Sequence, residues 1–159
     1  MSLSEPQKTH VLVVDDDPGL RLAFRKALGR KDCIVTEAED GKKALPLLQT
    51  GGSDAGPFDV CVLDLKMPNL GGMEVLRRTQ NRNVPVVVLT GHGSVVESVE
   101  AMRLGASNFV QKPVDADELW PILFQAIGLQ DGTKEAASLI GTSRVFHDFL
   151  KQLQRAAES

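Results

Sequence analysis

The chain has 159 residues, 42% hydrophobic and 25% charged, enough for one well-buried domain and a short appendage but not for a second full domain. Its 18 basic and 21 acidic residues leave a formal net charge of -3 without a block of one sign, so neither a nucleic-acid nor a membrane surface is announced. No run approaches the ~18 apolar residues of a membrane span, the polar start lacks the plan of a secretory signal, and a cytoplasmic protein is expected.

Residues 1–8 are set aside as disordered or tag-derived. The run VLVV, 11–14, does not alternate with polar residues, which suits a strand covered on both faces. Asp15, Asp16 and Asp17 follow. Asp17 reads as the N-cap of a helix that starts at Pro18, carries Leu20, Ala23, Phe24, Ala27 and Leu28 on one stripe, and stops at Gly29. A second strand is expected at 33–35 and a weaker helix at 42–49, where Pro46 predicts a late start or a kink. TGGSDAGP, 50–57, reads as a mobile surface loop. The third strand, VCVL at 60–63, runs into Asp64 and is followed by a helical segment at 73–80. Arg77, Arg78 and Arg82 read as a solvated helix face, with partner docking as the lesser alternative. VVVL, 86–89, is the fourth strand and ends at Thr90. Ser94 and Glu97 form a capping box for a helix with Val95, Val96, Val99 and Met102 on one stripe and Gly105 as its stop. A fifth strand at 109–110 precedes Lys112 and Pro113, whose peptide bond is a candidate for the cis form. The last helix of this pattern covers 117–129 and contains Pro121, which again predicts a late start or a kink. Cys33 and Cys61 read as buried free thiols.

Strand and helix alternate through Leu129, so a right-handed, doubly wound α/β domain is expected. Its five-stranded parallel sheet would have the flavodoxin-like order 2-1-3-4-5. The expected divisions are a domain at 9–129, a linker at 130–141 and a helical segment at 142–159 that carries Val145, Phe146, Phe149, Leu150 and Leu153 at helical spacing.

Ligands of open parallel sheets bind beyond the carboxyl ends of the strands. Asp15 and Asp16, Asp64, Thr90 and Lys112 all stand there, with Asp16 and Asp64 facing each other across the switch point. Crowded carboxylates repel, and a bound cation removes that penalty. An all-oxygen set without histidine or thiolate favours a hard ion, and a few carboxylates with retained waters describe Mg2+ better than Ca2+. Asp64, rising from a buried strand into a turn, can attack phosphorus and form an aspartyl phosphate, with Mg2+ and the Lys112 ammonium offsetting the incoming oxygens.

The set DDD, LDLKMP, LTGHG and NFVQKP, in this order, resembles the receiver domain of two-component response regulators. The resemblance implies Asp64 as phosphoacceptor, Asp15 and Asp16 as the acidic pair, Thr90 as switch hydroxyl, Lys112 as the family's lysine, Phe109 as switch aromatic, and the Lys66 backbone carbonyl in the Mg2+ shell. His92 with LIGTSRVFHDFLKQLQRAAES narrows it to sigma-54-dependent activators of the nitrogen-regulator type, with 142–159 as the start of an ATPase domain. No GxxxxGK[ST] occurs, so the chain carries no P-loop of its own. The departures are Asn69, Leu70 and Gly71 where a Gly-Met-Asp turn is usual, Asn108 in place of aspartate, and Pro121.

The resemblance further implies a phosphoryl group taken from a sensor histidine kinase, a homodimer, and output ATPase and DNA-binding domains beyond this chain. Intrinsic chemistry would be limited to self-phosphorylation and self-dephosphorylation, with no direct nucleic-acid or membrane partner. Two alternatives differ in class: an aspartate-nucleophile phosphatase on small phosphoesters, and a phosphorylation-independent adaptor. The phosphatase plan wants an aspartate two residues after the nucleophile, where Lys66 stands.

Overall fold

The computed structural model describes residues 8–91 and 95–130. His92, the capping hydroxyl of Ser94, the start of the chain, and the expected linker and terminal segment from residue 131 on lie outside them.

The sheet consists of β1 (Thr9–Val14), β2 (Cys33–Ala38), β3 (Val60–Asp64), β4 (Val86–Thr90) and β5 (Asn108–Gln111). All pairings are parallel, and the spatial order is β2-β1-β3-β4-β5. The helices are α1 (Pro18–Gly29), α2 (Gly41–Thr50), α3 (Gly72–Arg78), α4 (Val95–Arg103) and α5 (Ala116–Gln130). The unbroken apolar runs are explained by two cores, one on each face of the sheet. Val11, Val13, Val60, Val62, Val87 and Leu89 meet Phe24 and Leu28 of α1 and Leu119 and Leu123 of α5. Leu12, Val14, Leu63, Val86 and Val88 pack on the other side with Ala44, Leu48, Val75, Leu76 and Ala101 of α2, α3 and α4. Cys33 and Cys61 are buried free thiols, as expected.

Helix ends follow their signals. Asp17 caps α1, its side chain accepting from the Gly19 amide, and Gly105 at φ 94° closes the turn after α4. The late starts do not occur: α2 and α5 begin well ahead of Pro46 and Pro121 and run through them. Both prolines are exposed, as are Lys42 and Asp117, the residues whose carbonyls lose a donor. Water can serve those carbonyls, and the buried faces keep the helices whole.

Two further expectations are corrected. Where a loop was expected at 50–57, Thr50 ends α2 and Gly52–Ser53 pairs with Gly56–Pro57 in a short antiparallel ribbon. Glycine permits it, since a Cβ on Gly52 would lie 2.7 Å from the Gly56 carbonyl oxygen. Arg82 is not on a solvated helix face: it follows α3, half-buried, and its guanidinium donates to the carbonyls of Thr79 (2.9 Å) and Leu104 (3.3 Å). Arg77 and Arg78 are exposed and paired with Glu74. Among the described residues no helix is long and apolar enough to cross a membrane.

Candidate functional site

The parallel arrangement carries the ends of β1, β3, β4 and β5 to one edge, and with them the candidate residues. Asp15 is fully buried directly after β1, and Asp64 is the last, buried residue of β3. Asp16 is exposed at the rim. Each of these three carboxylates offers an oxygen, and the three oxygens lie within 4.8 Å of one another. The Lys112 ammonium stands 2.8 Å from Asp15 Oδ2 and 3.4 Å from Asp64 Oδ2. The peptide bond from Lys112 to Pro113 is cis, and the Lys112 amide donates to the Thr90 carbonyl at 2.7 Å. Asp15, Asp16, Asp64 and Lys112 thus converge, and the Lys66 backbone joins them by donating its amide to Asp64 Oδ1 at 3.3 Å. Thr90 is buried at the end of β4, the strand beside Asp64. Phe109, on β5, is half-buried against the core under α2, α3 and α4.

The electrostatics are unbalanced. Burial first, and then the Asp15 charge, raise the Asp64 carboxyl above its ordinary value against the opposing pull of Lys112. Burial works to lower the Lys112 ammonium, but its bonds to Asp15 and Asp64 outweigh that, and its proton is held more tightly than usual. Three carboxylates and one ammonium leave two formal negative charges, the amount a divalent ion neutralises. The donors are all oxygen, with the Lys66 backbone at the rim, so this set fits Mg2+.

Removal of the cation is therefore costly. Lys112→Met is expected to lower stability by about 2 kcal/mol at neutral pH, below the full cost of orphaning a buried partner because the lysine is partly exposed. Added Mg2+ should return much of the loss. Thermal unfolding with and without the metal checks this, and an unchanged midpoint would show that the ammonium does not offset the paired carboxylates.

Two residues that the sequence pattern does not place in the site support it. Arg21 of α1 donates from Nη1 to the Asp15 carbonyl at 2.6 Å and is itself held by Glu37 of β2. Asn69, whose backbone is left-handed at φ 69°, donates from its side-chain amide to Asp40 Oδ2 at 2.9 Å. The turn after Asp64 also admits no side chain at Gly72, where a Cβ would fall 2.3 Å from the Asp64 carbonyl oxygen.

The family profile described as the response regulator receiver domain matches residues 11–124. The chain belongs to the response regulator receiver domain family. Over 114 residues it is 40% identical to the C4-dicarboxylate transport transcriptional regulatory protein DctD of Pseudomonas aeruginosa, a match covering 70% of this chain and 24% of that protein. It is 38% identical over 122 residues to the transcriptional regulatory protein FixJ of Bradyrhizobium diazoefficiens, covering 76% of this chain and 57% of that one. The receiver thus spans about a quarter of the first relative and just over half of the second. Among solved structures, a Francisella response regulator receiver domain superposes with TM-score 0.67 at 32% identity, covering 76% of this chain and 97% of that one. The sheet order and the helices on both faces are those of this fold, as expected.

Proposed function

We propose that this receiver accepts a phosphoryl group on Asp64 from a sensor histidine kinase and uses it to switch an output domain of a sigma-54-dependent activator. The observation that carries the reading is the buried Asp64 carboxylate, in contact with Lys112 and within reach of the same ion as Asp15 and Asp16. Asp15, Asp16, Asp64 and the Lys66 carbonyl would hold Mg2+. When bound, the ion supplies the countercharge that lets an anionic phosphoryl group approach three carboxylates.

An Asp64 oxygen attacks phosphorus, the bond from phosphorus to the donor's imidazole nitrogen or acyl oxygen breaks, and the donor leaves with that electron pair. Lys112 donates toward the phosphoryl oxygens. Hydrolysis reverses the uptake, with water attacking phosphorus and Asp64 leaving as carboxylate.

Phosphorylation adds about -1.5 to -2 charges and three acceptor oxygens. Thr90 turns to donate to one of them, and the half-buried Phe109 moves into the space vacated, repacking the face made by α4, β5 and α5. The phosphoryl group selects between two packings through its differential contacts with each. Val96 on α4 and Phe124 on α5 are 75% and 64% exposed, apolar positions that support a homodimer built on that face. The setting would be cytoplasmic, with ATPase and DNA-binding output domains.

Incubation with Mg2+ and acetyl phosphate, read by intact mass, tests the reading. One phosphoryl per chain, absent when the metal is chelated, is expected. Sustained turnover of phosphoesters without an adduct would mean a phosphatase, and neither outcome an adaptor.

A further inference from the structure

The segment between β3 and α3 carries Lys66, and its two ends are anchored by different parts of the fold. The Leu65 amide donates to the Leu89 carbonyl at 3.2 Å, so this end belongs to the sheet. At the tip, the Asn69 side chain donates to Asp40 Oδ2, and the next carbonyl, that of Leu70, accepts from the Gly41 amide at 3.1 Å. The tip therefore rests on the N-terminus of α2. Asp40 is 6% exposed and divides its oxygens: Oδ1 caps α2 by accepting from the Lys43 amide at 2.9 Å, while Oδ2 holds Asn69. Gly41 allows the close approach, since a Cβ there would lie 2.2 Å from the Leu70 oxygen.

We infer that Asp40 and Asn69 are positioning residues for the acceptor site, the hydrogen bond between them setting the place of the Lys66 backbone and through it the affinity for Mg2+. The inference rests on the phosphoacceptor reading above. Lys66 is carried between a point fixed by the sheet and a point fixed by Asp40, and its amide meets Asp64 Oδ1 at 3.3 Å, at the long limit of a hydrogen bond. A small displacement of the tip breaks that contact and moves the neighbouring carbonyl away from the carboxylates.

Exchange of single atoms isolates the contact. Asp40→Asn keeps an oxygen for the Lys43 amide, and asparagine caps helices as well as aspartate does; the Asn69 amide can turn its oxygen to the new NH2 group, so this variant keeps a neutral hydrogen bond in the reverse sense. Asn69→Asp tolerates the left-handed backbone and sets carboxylate against carboxylate. The two exchanges together restore donor to acceptor in the opposite sense. The measurements are the Mg2+ dissociation constant by calorimetry and the rate of acetyl phosphate uptake against Mg2+ concentration. Asn69→Asp is expected to bind Mg2+ about fivefold more weakly, as the loss of one hydrogen bond implies, and Asp40→Asn within about twofold of wild type, with uptake at saturating Mg2+ within about twofold of wild type for both. The double variant should recover wild-type affinity to within about twofold. An Asn69→Asp variant that binds Mg2+ like wild type, or a double variant no better than Asn69→Asp, would overturn the inference. A wild type that forms no adduct would instead overturn the phosphoacceptor reading itself.

Discussion

Asp64→Asn should take up no phosphoryl group from acetyl phosphate and Mg2+, and should still unfold at a higher temperature than wild type at neutral pH. The first effect is complete because the amide is no nucleophile, and Asp15, the other carboxylate beside Lys112, is fully buried and already engaged by the ammonium. The second follows from burial and the Asp15 charge, which together raise Asp64 above its ordinary value of 3.8 despite Lys112. The folded protein holds that proton more tightly than the unfolded chain. The resulting stability is fully present below pH 3.8 and is lost as pH rises through the raised folded value. The variant cannot titrate there, so its advantage over wild type should be near zero in acid and grow to a plateau toward neutrality. Thermal melts across that range, in the absence of divalent metal, give the profile. A variant less stable than wild type at neutral pH would mean that Lys112 more than balances the acidic pair.

Gly72→Ala is expected to destabilise the fold by about 3 kcal/mol, the upper part of the range for forced overpacking. The new Cβ would lie 2.3 Å from the Asp64 carbonyl oxygen and 2.9 Å from Leu65 Cα, and both are backbone atoms locked in place. Asp64 pairs with β4 as the last residue of β3, and the Gly72 amide donates to the Leu65 carbonyl at 2.9 Å. The strain is thus released only by moving the end of β3, which carries the acceptor carboxylate. Denaturant unfolding should show the loss, and acetyl phosphate uptake under native conditions should slow as well. Alanine accepted within about 0.5 kcal/mol would contradict the close approach of α3 to β3.

The apolar runs and the polar residues that end them were legible because a parallel sheet imposes both at once. VLVV, VCVL and VVVL have no polar alternation because two cores cover them, and the residues just beyond must then stand at one edge. Asp15, Asp64 and Lys112 meet for that reason alone. Arg21 and Asp40 were not legible as parts of the site, because each acts through a contact that only the fold creates: a guanidinium on a backbone carbonyl, and a carboxylate on an amide 29 residues away. Asn69 stood out in the sequence only as a departure in the turn after Asp64. The prolines misled as to where α2 and α5 start, because the cost of a missing donor depends on whether the orphaned carbonyl faces water, which periodicity does not report. The ribbon at Gly52–Ser53 and Gly56–Pro57 was hidden by its glycines, which signal irregular backbone and close strand approach alike.

The central claim is that a divalent ion occupies the space among the carboxylates at the carboxyl edge of the sheet. Titration of the isotope-labelled protein with Mg2+, followed through backbone amide resonances, tests it most directly. A single saturating site that shifts residues 15, 16, 64 and 66, and is lost in Asp64→Asn, is the predicted result. Resonances that do not move, or that move only at other acidic groups such as Glu37 and Glu39, would contradict it.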